Sequence, residues 1–185
     1  MRVASQVIFG YLLLLVLGAM WRLLPVQLPA PDLIALLAVY LGLTARPVMV
    51  GPLTVRLAPA TLGAVILGYL ADLLMGTPRG LLALNAGIMC GLGHFVHAAL
   101  IVRGRLFTIV FSFMVGLVSG VLILLVRLAA GLVPAGAFGE LLMLLGTAVM
   151  TALAGPLLFR GSRSIDARFA RTHRERDAML GGIPR

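Results

Sequence analysis

Six long stretches of this chain carry almost no charge, and that property decides the solvent in which it can fold. The apolar runs cover roughly residues 3 to 24, 30 to 46, 57 to 75, 80 to 102, 106 to 130 and 137 to 159, divided by arginines and Pro/Gly clusters. Most are long enough to cross about 30 Å of hydrocarbon at 1.5 Å per residue. With 61% hydrophobic and 11% charged residues, against about 25% charged in soluble domains, the chain lacks the polar surface to enclose a core in water. In lipid each backbone amide must be paired within its own segment, so the runs are expected to be helices; the ten-residue alternation of a membrane barrel is absent. The expected fold is an all-α, polytopic membrane helical bundle of six transmembrane helices, with a six-span domain over 1–160 and a basic cytoplasmic tail over 161–185.

The second run is the short one, since only Leu33 to Ala45 is free of charge and about 13 residues reach only about 20 Å. It reads either as a span or as a re-entrant segment. Charge decides between them. With six spans and both termini in the cytoplasm, the inner side holds Arg2, Arg46, Arg56, Arg103, Arg105 and the seven arginines after residue 159, leaving Arg22, Arg79 and Arg127 outside. A non-crossing second run would export the arginine-rich tail, against the positive-inside rule, so six spans are expected. Trp21 and Arg22 fit the point where the first helix leaves the membrane, with Pro25, Pro29 and Pro31 breaking the chain after it. The segment Arg46 to Arg56 is expected to be a cytoplasmic connection at the interface. Met1 to Gly18 resembles a signal peptide, but the run continues to Leu24 without a clean Ala-x-Ala site, so a retained span is expected.

All fifteen basic residues are arginine, and the net charge is +9. Because seven of them follow an apolar run, anionic lipid is the expected counter-ion rather than nucleic acid. In the tail, Ser164 is placed to cap a short helix carrying Ile165 and Phe169 on one side. The tail reads as a determinant of orientation or as a basic docking surface. Cys90, the single cysteine, lies in an apolar run and reads as a small buried side chain.

Ionisable residues inside a membrane are the first candidates for function, since one at mid-depth costs about 2.5 to 3.5 kcal/mol on insertion scales. Asp32, Asp72 and Glu140 are the acids to inspect, each near the outer end of its run. Asp32 follows Pro31 where a helix N-terminus favours an anion, so it is expected to cap the second helix. Asp72 stands about one turn before Gly76, at a helix C-terminus that disfavours an anion, so a cation is expected beside it. Arg79, across the Gly76-Thr77-Pro78 turn, is the expected partner.

Catalytic patterns are missing. His94 and His97 at i, i+3 could share a face, but no acid stands near them in sequence, and they read as interfacial histidines rather than a metal site. No nucleophile elbow, phosphate-cradling loop or paired carboxylates occur, so neither an enzyme nor a cofactor is expected. Gly87/Gly91 and Gly116/Gly120 form two G-x-x-x-G spacings, with Ser112 and Ser119 nearby, that let helices approach closely, within the chain or to a partner.

The segment Gly68-Tyr-Leu-Ala-Asp72-Leu-Leu-Met-Gly76-Thr-Pro78-Arg-Gly80-Leu, followed by Ala83-Leu-Asn85, resembles the third-span signature of the rod shape-determining MreD family. Asp72, Gly76, Pro78 and Gly80 match it, and Pro31-Asp32 resembles the start of that family's second span. Arg79, where an apolar residue is expected, and the arginine-rich tail depart from the pattern. The resemblance implies a non-catalytic component of the bacterial inner membrane, working with MreC, the MreB cytoskeleton and RodA with its transpeptidase to direct lateral peptidoglycan synthesis. It makes Pro31, Asp32, Asp72, Gly76, Pro78, Arg79, Gly80 and Asn85 the structural or partner-interface candidates.

That family is also similar in fold to the substrate-binding subunits of energy-coupling-factor vitamin transporters, which supply a rival reading. Such subunits carry an Ala-x-x-x-Ala-type docking surface on the first helix, and Ala4 to Leu24 contains none. They also need polar groups that converge on a ligand. Asp32, Asp72, Asn85 and Glu140 are the residues that could do so.

Overall fold

The computed structural model describes residues 2–23, 29–45, 58–78, 80–99, 105–131 and 136–181. They form six helices and, among the described residues, no strand: α1 (Arg2–Leu23), α2 (Leu33–Thr44), α3 (Ala58–Met75), α4 (Leu81–Ala99), α5 (Arg105–Ala129) and α6 (Ala137–Gly181). Helices α1 to α5 coincide with the first five apolar runs to within a few residues, and α6 starts with the sixth and continues beyond it. Stretches within α1 (Val3–Met20), α5 (Leu106–Ala129) and α6 (Phe138–Ala167) are long and apolar enough to cross a membrane; α2, α3 and α4 are shorter apolar helices. The outward faces are apolar as well, with Phe95, Leu106, Phe138 and Leu157 each at least 75% exposed. Contiguous apolar exposure on this scale is incompatible with a free surface in water and compatible with hydrocarbon.

The short α2 is the axis of the bundle. It packs against all five other helices, most extensively α4, and every residue from Leu33 to Gly42 is buried. A helix that is apolar all round has no solvent face and belongs in an interior. Its length follows from that position: a helix walled in by protein need not match the thickness of a bilayer, as a lipid-facing helix must. Close approach to α4 depends on glycine. A Cβ on Gly42 would strike the Cys90 carbonyl oxygen, and one on Gly93 would lie 2.5 Å from the Val39 carbonyl oxygen. Gly68 brings α3 equally close to Leu82 and Ala83 of α4.

The α5–α6 hairpin uses the second of the two G-x-x-x-G spacings. A Cβ on Gly116 would sit 2.9 Å from Ala148 Cα, and Gly120 faces the Leu144 side chain, so this pair serves packing within the chain. Gly87 meets only Val65, and Gly91 has open space beside it.

The helix α6 departs from expectation. A break at Gly161 and a separate tail helix capped by Ser164 are not found; α6 runs through 45 residues, about 68 Å, to Gly181. The Ser164 hydroxyl instead donates to the Arg160 carbonyl one turn back, the bond of a residue inside a helix. Gly161 costs only about 1 kcal/mol in a helix interior. Asp166, bonded to α1 and α2, holds that turn against the bundle. The expected connection Arg46 to Arg56 and the side chains of Trp21, Arg22, His97 and Phe169 lie outside the described residues.

Candidate functional site

Three polar constellations are embedded in this apolar bundle. The first is the α3–α4 turn. Gly76 (φ +67°) and Gly80 (φ +93°) both take the left-handed backbone conformation that only glycine adopts without strain. The turn folds the chain so that Asp72, 2% exposed near the end of α3, reaches the first turn of α4. Its carboxylate accepts hydrogen bonds from the Thr77 hydroxyl (2.6 Å) and from the backbone N–H groups of Gly80 (3.0 Å), Leu82 (3.1 Å) and Ala83 (3.3 Å). Asp72 is therefore compensated, as expected of an anion at a helix C-terminus, and among the described residues the compensation comes from a hydroxyl and backbone amides. It caps the next helix from outside, where orphan amides and the positive end of the α4 dipole favour an anion. Arg79, its expected partner, lies outside the described residues.

The second constellation joins four helices. Asp32 caps α2 as expected, one carboxylate oxygen accepting from the Ala35 N–H at 3.0 Å. Its other oxygen accepts a hydrogen bond from the Ser119 hydroxyl of α5, which itself accepts from Asn85 Nδ2 of α4 at 2.7 Å. The Asp32 N–H donates to the Thr151 hydroxyl of α6 at 2.9 Å. Pro31 precedes this cap, and Pro29 rests against Gly146 of α6. Ser119 lies 14 residues beyond Arg105 and 8 before Arg127, about 21 Å and 12 Å along α5. Asp32 is thus at the start of its own helix but about 12 Å short of Arg127 along α5. Non-helical backbone at such depth is tolerated where protein surrounds it.

Asp166 builds the third. One of its oxygens accepts from Gln6 Nε2 of α1 (2.8 Å), the other from the Tyr40 hydroxyl of α2 (2.8 Å), while Phe159 meets the Tyr40 ring edge-on. Sequence reasoning missed this residue among the charges of the tail. The available signal was Gln6 and Tyr40, polar groups in apolar helices that require partners. Asp166→Ala removes the acceptor shared by the Gln6 amide and the Tyr40 hydroxyl and loosens the hold of α1 and α2 on this turn of α6. Limited proteolysis is expected to cut after Arg160 or Arg163 at least several-fold faster than in the parent chain.

Of the four groups considered for convergence, Asp32 and Asn85 meet through Ser119. Glu140 does not join them: it pairs with Arg127 at 3.5 Å in an exposed position, 11 residues from Thr151, about 16 Å along α6. An apolar recess of about 680 Å³ opens between the ends of α1 and α3 over the start of α2, lined by residues such as Leu14, Gly18, Pro31, Leu33 and Ala71. Among the described residues no three His, Cys, Asp or Glu side chains cluster as metal ligands. No protein-family model matches the chain, and no curated protein or solved structure is significantly similar to it.

Proposed function

We propose that the chain is a non-catalytic, six-span scaffold of the bacterial inner membrane, of the MreD type, with both termini in the cytoplasm. In this reading it acts with an MreC-like membrane protein, the MreB cytoskeleton and RodA with its transpeptidase to control rod shape and lateral peptidoglycan synthesis. The carrying observation is that Asp72, Gly76, Gly80 and the first turn of α4 form one structural device. These residues carry the family resemblance, and they are spent on fixing a hairpin rather than on holding a substrate. The Asp166 constellation likewise ties helices to one another, and the residues lining the recess are apolar.

Membrane orientation draws support from the Gln6 to Asp166 bond, which brings the start of α1 and the basic stretch of α6 to the same end of the bundle. An even number of crossings has that result. The arginines at this end face the anionic leaflet, where each contributes about 1 kcal/mol.

Two experiments test the proposal. The tagged chain, purified in detergent from its own host, is expected to bring down an MreC-like single-span protein, and its loss is expected to round the cells. A reporter fused after Arg185 should be active only in the cytoplasm; activity confined to the periplasm removes the topology. A vitamin retained through purification, with no such partner, would transfer the assignment to an uptake subunit.

A further inference from the structure

The cluster around Asp32 is out of balance in one direction: it has more acceptors than donors. The Ser119 hydroxyl spends its proton on Asp32, and the Thr151 hydroxyl spends its own on the Thr147 carbonyl at 2.6 Å. Asn85 donates to Ser119, yet its Oδ1 is buried without a hydrogen-bond partner, in a residue only 3% exposed. An amide oxygen has two acceptor sites and a carboxylate about four, so Asn85 Oδ1 stays wholly unmatched and the Asp32 carboxylate, bonded by Ser119 and Ala35, keeps acceptor capacity for a further partner. Among the described residues no cationic side chain pairs with Asp32. Buried oxygens with nothing to accept from are costly, and the cost is relieved by a ligand that brings positive charge and no lone pairs of its own.

We propose that Asp32, Asn85, Ser119 and Thr151 form a binding site for one monovalent metal cation of the size and hardness of sodium. All four ligand groups present oxygen, which selects hard cations over the softer transition metals. One carboxylate among neutral oxygens balances a single positive charge, whereas a divalent ion would leave net charge in an apolar interior. The two carboxylate oxygens divide the work. The one that accepts from Ala35 serves the α2 cap, and the one that accepts from Ser119 is the ligand. Since the four residues come from α2, α4, α5 and α6, an ion there ties the central helix to three of its neighbours. This inference stands independently of the scaffold reading.

The test uses the full chain in detergent, with thermal unfolding followed in sodium chloride against choline chloride at fixed ionic strength. A ligand bound only by the folded state raises the midpoint in a concentration-dependent way. The midpoint is expected to climb with sodium and not with choline, and Asn85→Leu or Ser119→Ala should raise the sodium concentration needed by tenfold or more. Glu140→Gln, outside the cluster, should leave the response unchanged. Should the cluster variants not fold, sodium-23 line broadening by the unaltered chain is the second measurement, and its absence overturns the site. Equal midpoints in the two salts overturn it too, as does a midpoint that follows pH but not sodium, which would make a proton the occupant.

Discussion

Replacing Asp72 with alanine is expected to lower the unfolding free energy of the bundle by about 3 kcal/mol or more. The carboxylate, 2% exposed, is the acceptor for three backbone N–H groups and a hydroxyl, and alanine strands the two of them that are buried, the N–H groups of Leu82 and Ala83. Each buried group left unsatisfied costs about 1 to 3 kcal/mol, and loss of a helix cap alone typically costs about 1 kcal/mol. Thermal unfolding in detergent gives the measurement. Asp72→Asn keeps one acceptor oxygen and should recover part of the loss. The partner expected from sequence gives a sharp contrast: if Asp72 acts as a cap, Arg79→Gln leaves the midpoint nearly unchanged, whereas an ion pair would make the two substitutions comparable. An Asp72→Ala chain that assembled and supported rod shape normally would remove the device on which the proposed function rests.

Gly42→Ala is expected to produce the second large loss, about 2 kcal/mol. Alanine in place of glycine ordinarily stabilises a helix by about 0.5 to 1 kcal/mol. At Gly42 the added methyl meets the Cys90 carbonyl, a backbone atom that cannot rotate away, so α2 and α4 must separate along their main contact. Overpacking of this kind typically costs about 1 to 3 kcal/mol. Gly91→Ala is the control, because nothing lies within 4 Å of the position a methyl would take. The two substitutions should shift the unfolding midpoint in opposite directions, and a parallel shift would mean that helix propensity rather than interhelical distance governs both.

Element positions were legible because the uncharged runs are themselves the helices: α5 at Arg105–Ala129 lies within one residue of the run ending at Ala130. The Asp32 cap was legible too, since Pro-Asp before an apolar run carries a local rule. What could not be read were distances across the bundle. Asp72 looked unsatisfied because its acceptor role is filled by amides eight to eleven residues ahead, beyond a turn whose geometry rests on two glycines. Asp166 looked like one more charge in a tail because Gln6 and Tyr40 stand 160 and 126 residues away in sequence. Gly42, Gly68 and Gly93 follow no recognisable spacing, and only the crossing of helices gives them meaning. The apparent shortness of the second run was read against bilayer thickness, a constraint that a fully enclosed helix escapes.

The enclosure of α2 also orders events during synthesis. The side chains from other helices that bond Asp32 come from positions 119 and 151, Asn85 braces Ser119, and the acid that bonds Tyr40 comes from position 166. Until the last helix leaves the ribosome, the second one has neither its walls nor its polar partners. A nascent chain halted earlier therefore leaves a carboxylate and a short apolar helix without the side chains that enclose them, and the step that completes the bundle is the docking of α6.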